Sequence, residues 1–437
     1  MAEQMKPSGI DWIGDIPKSW KVKPIAYMTK SRSGGTPDRN NLLYWENGTI
    51  PWMSSGEVNK VNIYDTDEKI TTLAVHHSSA KIISKNAVMV ALNGQGKTKG
   101  MSAILRIDSA CNQSLCAFSC NAGILYYEYL FWCFQTMYTY LRQMSGDDVR
   151  DGLAASYVKK QKIPVPKYEE QQAIADFLDK ECAQIDSIAA DLEKQIELLQ
   201  QYKKSLITET VTKGLDKTVP MKDSGVEWLG KIPEHWDVEP IKYRVTFHNG
   251  DRGENYPSKS ELQSEGIPFI NAGHLEGDGL NMDNMDYISE EKYRIMGGVK
   301  LRSGDILYCL RGSVGKNAIV DMNQGTVASS LVAIRSVRIS AKYLYYCLNS
   351  HIEEVQRYLW DNGTAQPNLS ADNLGKYKIC IPPVEEQMTI VEYLNNICSQ
   401  IDNLIIGKRK QLSTIQQHKK SLIYEYVTGK KRVKEVR

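Results

Sequence analysis

One long amphipathic pattern occurs twice in this chain, and nothing else in the sequence limits the fold as tightly. The first copy begins at Glu169-Glu170-Gln171 and runs to about Val211; the second begins at Glu385-Glu386-Gln387 and runs to about Val427. A shift of 216 positions aligns them without a gap: 163–188 matches 379–404 at 11 of 26 positions, and 201–212 matches 417–428 at 9 of 12. The same shift pairs 8–25 (SGIDWIGDIPKSWKVKPI) with 224–241 (SGVEWLGKIPEHWDVEPI) at 10 of 18. Between these arms, about 26–162 and 242–378 show no comparable run. One unit has been duplicated, with shared arms and divergent middles.

The arms carry a heptad. Leu178, Ile185, Leu192, Leu199 and Leu206 recur every seven residues, with Cys182, Ala189 and Ile196 offset by four. In the second arm Leu394, Ile401, Ile415 and Leu422 keep the phase with Cys398, Ile405 and Leu412, and Lys408 breaks it once. Such a seam predicts a coiled coil. Acids open each arm and Lys203-Lys204 and Lys419-Lys420 lie towards its end, as the helix dipole favours. About 43 residues at 1.5 Å each reach roughly 65 Å, so the arms are expected to hold two domains apart. Arms related by a pseudo-two-fold run in opposite senses. Antiparallel pairing within the chain is therefore expected, with Leu178 near the Leu422 end and Ser8 near the end of the second arm.

The middles read as mixed domains with exposed loops. Residues 86–92 (NAVMVAL) suit a buried strand, followed by the glycine loop 93–100 and a second strand at 103–107; 124–141 is the domain's helix. Residues 152–166 lead out through IPVP, whose prolines hold off a helix until the arm begins. In the second half 249–253 is the early turn, and 267–271 answers 50–54. The strand is 305–310, the shorter glycine loop is 311–316, and 343–350 answers 129–136.

At 437 residues each half is long enough to bury its own core. Lys plus Arg at 54 against Asp plus Glu at 52 removes any bulk electrostatic case for nucleic acid, so DNA affinity has to come from local patches. The basic run from Gly429, GKKRVKEVR, reads as a solvated tail. Nine scattered cysteines show no disulfide framework; Cys111, Cys116 and Cys120 lack a histidine pattern and read as buried reduced thiols rather than a zinc site. MAEQMKPSG has no apolar core for a signal peptide, and Glu128, Gln135 and several tyrosines make 124–141 a buried helix rather than a membrane span. The expected compartment is a reducing cytoplasm. His76-His77 has no acid–base partner in the pattern.

Two related but unlike domains on a helical pair suit a ligand with its own approximate two-fold, such as duplex DNA. The chain resembles the specificity subunits of type I restriction-modification systems over about 8–427. Four features carry the resemblance: the paired SG[IV]-[DE]-W-[IL]-G-x-IP-x-x-W segments at Ser8 and Ser224, and the paired P-x-x-EEQ starts at Pro166 and Pro382. Gly34-Gly35-Thr36-Pro37 with Gly48-Thr49-Ile50-Pro51-Trp52, and Gly304-Asp305-Ile306-Leu307 before Arg311-Gly312-Ser313-Val314-Gly315-Lys316, are similar to its recognition domains. Gly363-Thr364-Ala365-Gln366-Pro367-Asn368-Leu369-Ser370 fits that family's domain exit, whereas the first half has the shorter Arg150-Asp151-Gly152-Leu153. The two domains therefore belong to different recognition subclasses.

The resemblance implies an α+β chain: two α/β target-recognition domains joined by two long antiparallel coiled-coil helices, an internal pseudo-two-fold duplication. Its parts are a shared N-terminal segment (1–25), recognition domain 1 (26–162), a central arm and linker (163–225), a lead-in with recognition domain 2 (226–378), and a C-terminal arm with basic tail (379–437). It also implies a non-catalytic subunit that reads double-stranded DNA, binds two methyltransferase subunits and recruits two restriction translocase-nuclease subunits. S-adenosylmethionine, ATP and Mg²⁺ then belong to those partners; no N-P-P-Y or D-P-P-Y motif occurs in this chain. The expected DNA contacts are Gly34, Thr36, Trp52, Ser54 and Ser55, with Gln95, Lys97, Thr98 and Lys99 of the first glycine loop. In the second half they are Arg252, Asn255, Tyr256, Asn271 and His274, with Arg311, Ser313 and Lys316.

Two other readings compete. Residues 91–98 (ALNGQGKT) fit a relaxed P-loop, but a strand follows where a phosphate-cradling helix is required. The arms could instead form a zipper between chains in a structural scaffold without sequence-specific DNA readout.

Overall fold

The computed structural model describes residues 4–94, 96–144, 152–360 and 368–433. The chain divides into two compact units, one of residues 1–192 with 410–437 and one of 193–409. In the first, a hairpin of Met5–Pro7 and Asp15–Pro17 leads in, and the strand Lys21–Pro24 pairs antiparallel with the exit strand Lys162–Val165. The domain between these two strands thus begins and ends side by side. A two-stranded ribbon accepts the prolines that a central strand rejects. The exit also contains a helix, Ala155–Lys160, ahead of the prolines that were expected to hold off any helix until the arm begins.

The domain is built on a five-stranded sheet, in the order Thr29–Ser33, Leu115–Cys120, Val88–Ala91, Ser102–Leu105 and Asn62–Ile63. A three-stranded sheet (Ala110–Cys111, Ile50–Met53, Glu68–Ile70) packs beside it. Helix Tyr127–Met144 closes the core, with the Phe118 and Phe134 rings 5.3 Å apart. The second unit repeats the plan. Its four-stranded sheet runs Val245–Asn249, Leu331–Ser336, Ile306–Cys309, Asn317–Ile319, and its three-stranded sheet Asp286–Ile288, Ile267–Ile270, Thr326–Val327. Its domain helix breaks at Asn349-Ser350 into Ala341–Leu348 and His351–Trp360.

The arms are helices Tyr168–Lys213 and Val384–Val427. In the first unit the Phe177 and Tyr426 rings lie 4.4 Å apart while Lys419 Nζ meets Asp186 at 2.6 Å, so the two segments run antiparallel. Leu178 and Leu422 share one core, and Tyr424 Oη and Lys430 Nζ both donate to Ile13 O, which brings the lead-in to the end of the second arm. In the second unit Lys203 meets Asp402 at 2.7 Å, and Tyr343 Oη bridges Val211 O and Cys380 O at 3.2 and 2.9 Å: again antiparallel. Leu178, Cys182, Ile185 and Leu192 are buried, as are Leu394, Cys398, Ile401, Ile405 and Leu422. At the end of the first arm the seam moves by one residue, and Ile207 and Val211 are buried where Leu206 was expected. There the helix packs on the mixed domain of the second unit, and Ile207 and Val211 join that domain's core.

The repeated motifs are joints between arm and domain. Glu170 accepts from the Trp20 indole at 3.2 Å, and Glu386 from Trp236 at 3.0 Å. Gln171, fully buried, donates to Pro166 O and Ile124 O (both 3.1 Å) and accepts from Tyr126 N at 2.8 Å. Gln387 donates to Pro382 O and accepts from Ser340 N. An amide satisfies both a carbonyl and an N–H at a buried joint, which a carboxylate cannot. All nine cysteines are free thiols, eight of them buried; burial pushes Cys111 and Cys120 up to about 12.

Candidate nucleic-acid interface

In each domain the sheet register brings the selected loops to one end. In the first domain Cys116 pairs with Ser33, Leu115 with Ala91 and Val90 with Ser102, so 34–49, 92–101 and 112–114 all leave the sheet there. Met53 pairs with Cys111 and its carbonyl accepts from Asn112 N, which adds Ser54 and Ser55 to the same end. In the second domain Asn249 pairs with Val332, Cys309 with Leu331 and Tyr308 with Asn317, gathering 250–266, 310–316 and 328–330. Lys316 Nζ donates to Ala272 O at 3.1 Å, tying the glycine loop to the turn at Asn271–His274.

The glycine loops are hairpins. Val88–Ala91 runs antiparallel to Ser102–Leu105, and Ile306–Cys309 to Asn317–Ile319. No helix follows either loop directly, so the P-loop pattern at 91–98 has no helix dipole or first-turn N–H groups to offer a phosphate. Each hairpin is also tied at its base by the domain exit: Leu153 N donates to Leu92 O at 2.8 Å, and Leu369 N to Leu310 O at 2.9 Å. The described ends of the two unlike exits make the same bond, while Arg150, Asp151 and residues 363–367 of those motifs lie outside the described residues.

The selected residues differ in what they present. Lys97, Arg252, Asn255, Tyr256, Arg311, Ser313 and Lys316 are exposed, and Gly34, Thr36, Ser54, Ser55, Thr98 and Asn271 are half-buried. Gln95 lies outside the described residues. Three expected contacts are buried, Trp52, Lys99 and His274, and two of them, Trp52 and His274, brace their own loops. The Trp52 indole donates to Gly35 O at 3.0 Å and its ring meets Trp45 edge-on, while Arg39 lies over the Trp45 face and pairs with Glu68. His274 Nδ1 accepts from Asn271 N at 3.1 Å, and Asn271 Nδ2 donates to Asp286 at 2.9 Å, so both residues brace their own turn. The glycine at 34 serves packing: a Cβ there would lie 2.1 Å from Cys111 O, and one at the equivalent Gly250 2.5 Å from Val327 O.

Sequence reasoning missed the edge of the second sheet. A polar cleft of about 640 Å³ runs beside Val245–Asn249, lined by His248, Arg252, Gly297, Gly298, Lys300, Arg302 and Arg335. Arg335 is committed to Asp305 through two bonds of 2.8 Å. Burial, then the charges of Arg335 and Arg302, hold His248 below its ordinary range. Asp251 is held low by N–H groups of Gly253 and Gly297 and serves the loop. These basic residues are spread from His248 to Arg335, so no local run announced them.

With the geometry in place, comparison with known proteins decides the family. The profile of the type I restriction modification DNA specificity domain matches twice, at residues 17–198 and 234–414. The chain belongs to this family. It is a specificity subunit of the type I restriction-modification kind. The MjaIX specificity subunit of Methanocaldococcus jannaschii is 26% identical over 97% of this chain and 96% of its own length. The EcoR124I/EcoR124II specificity subunit of Escherichia coli is 31% identical over 42% of this chain and 45% of its own. A solved chain from a study of assembly and conformational transition in a type I R-M system superposes with a TM-score of 0.70 at 18% identity, over 94% of this chain and 98% of that one. The specificity family's double domain is thus the duplication read in the sequence. Among the described residues no helix is long and apolar enough to cross a membrane.

Proposed function

We propose that each recognition domain, within 26–162 and 226–378, reads one half of a bipartite, asymmetric site in double-stranded DNA. The arms dock two methyltransferase subunits, through which two restriction translocase-nuclease subunits join. The chain itself does no chemistry and works in the cytoplasm; S-adenosylmethionine, ATP and Mg²⁺ belong to its partners. The convergence of exposed, unlike side chains on equivalent loops carries this reading: Lys97 in one domain, and Arg311, Ser313 and Lys316 in the other. Equivalent scaffolds with different loop chemistry suit different half-sites, since loops carry recognition while the scaffold sets position. Arg311 and Lys316 supply donors suited to guanine edges or phosphates.

The test is adenine-methylation mapping of DNA from cells with and without this chain, each containing its neighbouring methyltransferase. A new gapped, asymmetric motif methylated on both strands establishes the reading and names both half-sites. Unchanged methylation, with the methyltransferase active alongside another specificity subunit, rejects it in favour of a scaffold.

A further inference from the structure

Behind each glycine hairpin, the domain helix places two side chains one turn apart against the loop. In the first domain Tyr138 Oη donates to Lys97 O at 2.7 Å, and Arg142 Nη1 donates to Gly96 O at 2.9 Å and Lys99 O at 3.2 Å. Three carbonyls of one loop are thus held by two residues four apart on a helix, the spacing that stacks side chains on one face. In the second domain the same spacing recurs at Glu353 and Arg357. Tyr308, on the strand entering the hairpin, donates to the buried carboxylate of Glu353, which accepts from Arg357 Nε at 3.0 Å. Arg357 lies directly under Gly315, whose φ is 93°; a Cβ there would come within 2.9 Å of Nε. The hairpin and helix are therefore in contact at the very residue where the loop turns.

Neither pair covers the exposed side chains of the loops. Lys97, Arg311, Ser313 and Lys316 stay exposed on the hairpins that the helix holds. We propose that Tyr138–Arg142 and Glu353–Arg357 are positioning pairs, each setting base discrimination in one half-site by fixing the hairpin that reads it. The inference rests on the reading of the hairpins as DNA-contacting loops. A recognition side chain discriminates only if its supporting shell holds it in place, and a loop freed from its brace adapts to wrong bases. Phosphate contacts made elsewhere are untouched, so selectivity falls further than affinity.

The experiment uses the full chain with its methyltransferase and maps methylated adenines for the wild type, Arg142→Ala, Arg142→Lys, Tyr138→Phe and Arg357→Ala. Arg142→Ala is expected to relax preference at one half-site about five- to tenfold, the scale of two lost hydrogen bonds, leaving the other half-site unchanged. Arg357→Ala relaxes the opposite half. Arg142→Lys, with one ammonium for a carbonyl, recovers part of the preference. Tyr138→Phe keeps the ring packing and removes one bond, so it gives a smaller loss at the same half-site as Arg142→Ala even if the alanine variant fails to fold. Unchanged preference in Tyr138→Phe and the foldable arginine variants overturns the proposal, as does a loss spread equally over both half-sites, which marks a general structural role. A wild type that yields no gapped motif overturns the DNA reading itself, and this inference with it.

Discussion

Lys203 Nζ meets both carboxylate oxygens of Asp402 at 2.7 Å, and the duplication repeats the pair 216 positions on, where Lys419 Nζ meets both oxygens of Asp186 at 2.6 and 2.7 Å. Each lysine stands at a seam position of one arm and pairs with the other arm, so the pairs record antiparallel register in each unit independently.

These pairs are partly exposed, which limits each to ~0.2–1 kcal/mol. Lys419→Met is expected to lower the thermal midpoint by about 1–3 °C. Combining Lys419→Asp with Asp186→Lys should recover most of that loss, and the coupling should shrink in 1 M salt. Strict additivity of the two single variants in a double-mutant cycle refutes the register role.

Gln171 is a harsher case. Replacing it by Leu strands Tyr126 N, Pro166 O and Ile124 O at a buried joint, at a cost of about 1–3 kcal/mol in urea unfolding. Its exposed neighbour Glu169, changed to Gln, should stay within about 0.5 kcal/mol of the wild type. Equal effects of the two substitutions contradict the joint.

Arg311 is exposed, so Arg311→Ala should leave the unfolding midpoint where it is. Cognate-site binding should weaken by ~1–3 kcal/mol if the guanidinium reads guanine bidentately. Lys97→Ala, if the lysine meets phosphate, should instead reduce the salt dependence of binding by a slope of about 1 and leave sequence preference alone. Isothermal titration over a range of salt separates the two; unchanged cognate affinity removes Arg311 from the interface.

His248 gives a pH signature. Burial and the Arg335 charge depress its pKa in the folded state, opposed by Asp305, so the unfolded chain takes up the proton more readily. The stability tied to this residue is therefore complete above the ordinary histidine value of 6.5 and is lost as pH falls through the window below it. Arg335→Met should raise the His248 midpoint in a proton NMR titration; a midpoint at or above 6.5 in the wild type contradicts the assignment.

Much of the architecture was legible because it was written locally. The P-x-x-EEQ and SG-x-x-W motifs were legible as repeats, whereas the joints they build, Glu170 with Trp20 and Gln171 with Ile124 and Tyr126, came from the structure. The hairpin at 93–100 was readable from a glycine loop between two apolar strands, and the loop at 311–316 from the strand that precedes it. The seam was readable because seven-residue spacing survives in a helix; near Leu206 packing on the recognition domain turns the buried face towards Ile207 and Val211.

The candidate interface was legible only as a set of loops. From the sequence by itself came the duplication, the two helices, their antiparallel sense and the mixed domains between them, since repeat, periodicity and motif need no knowledge of distant partners. Tertiary structure decided which side chains reach solvent. Trp52, Lys99 and His274 have the residue types of nucleic-acid contacts but are buried, while Arg142 and Arg357, unmarked in the sequence, lie behind the hairpins. Exposure depends on what other segments place over a residue, and that is settled only when the sheet closes.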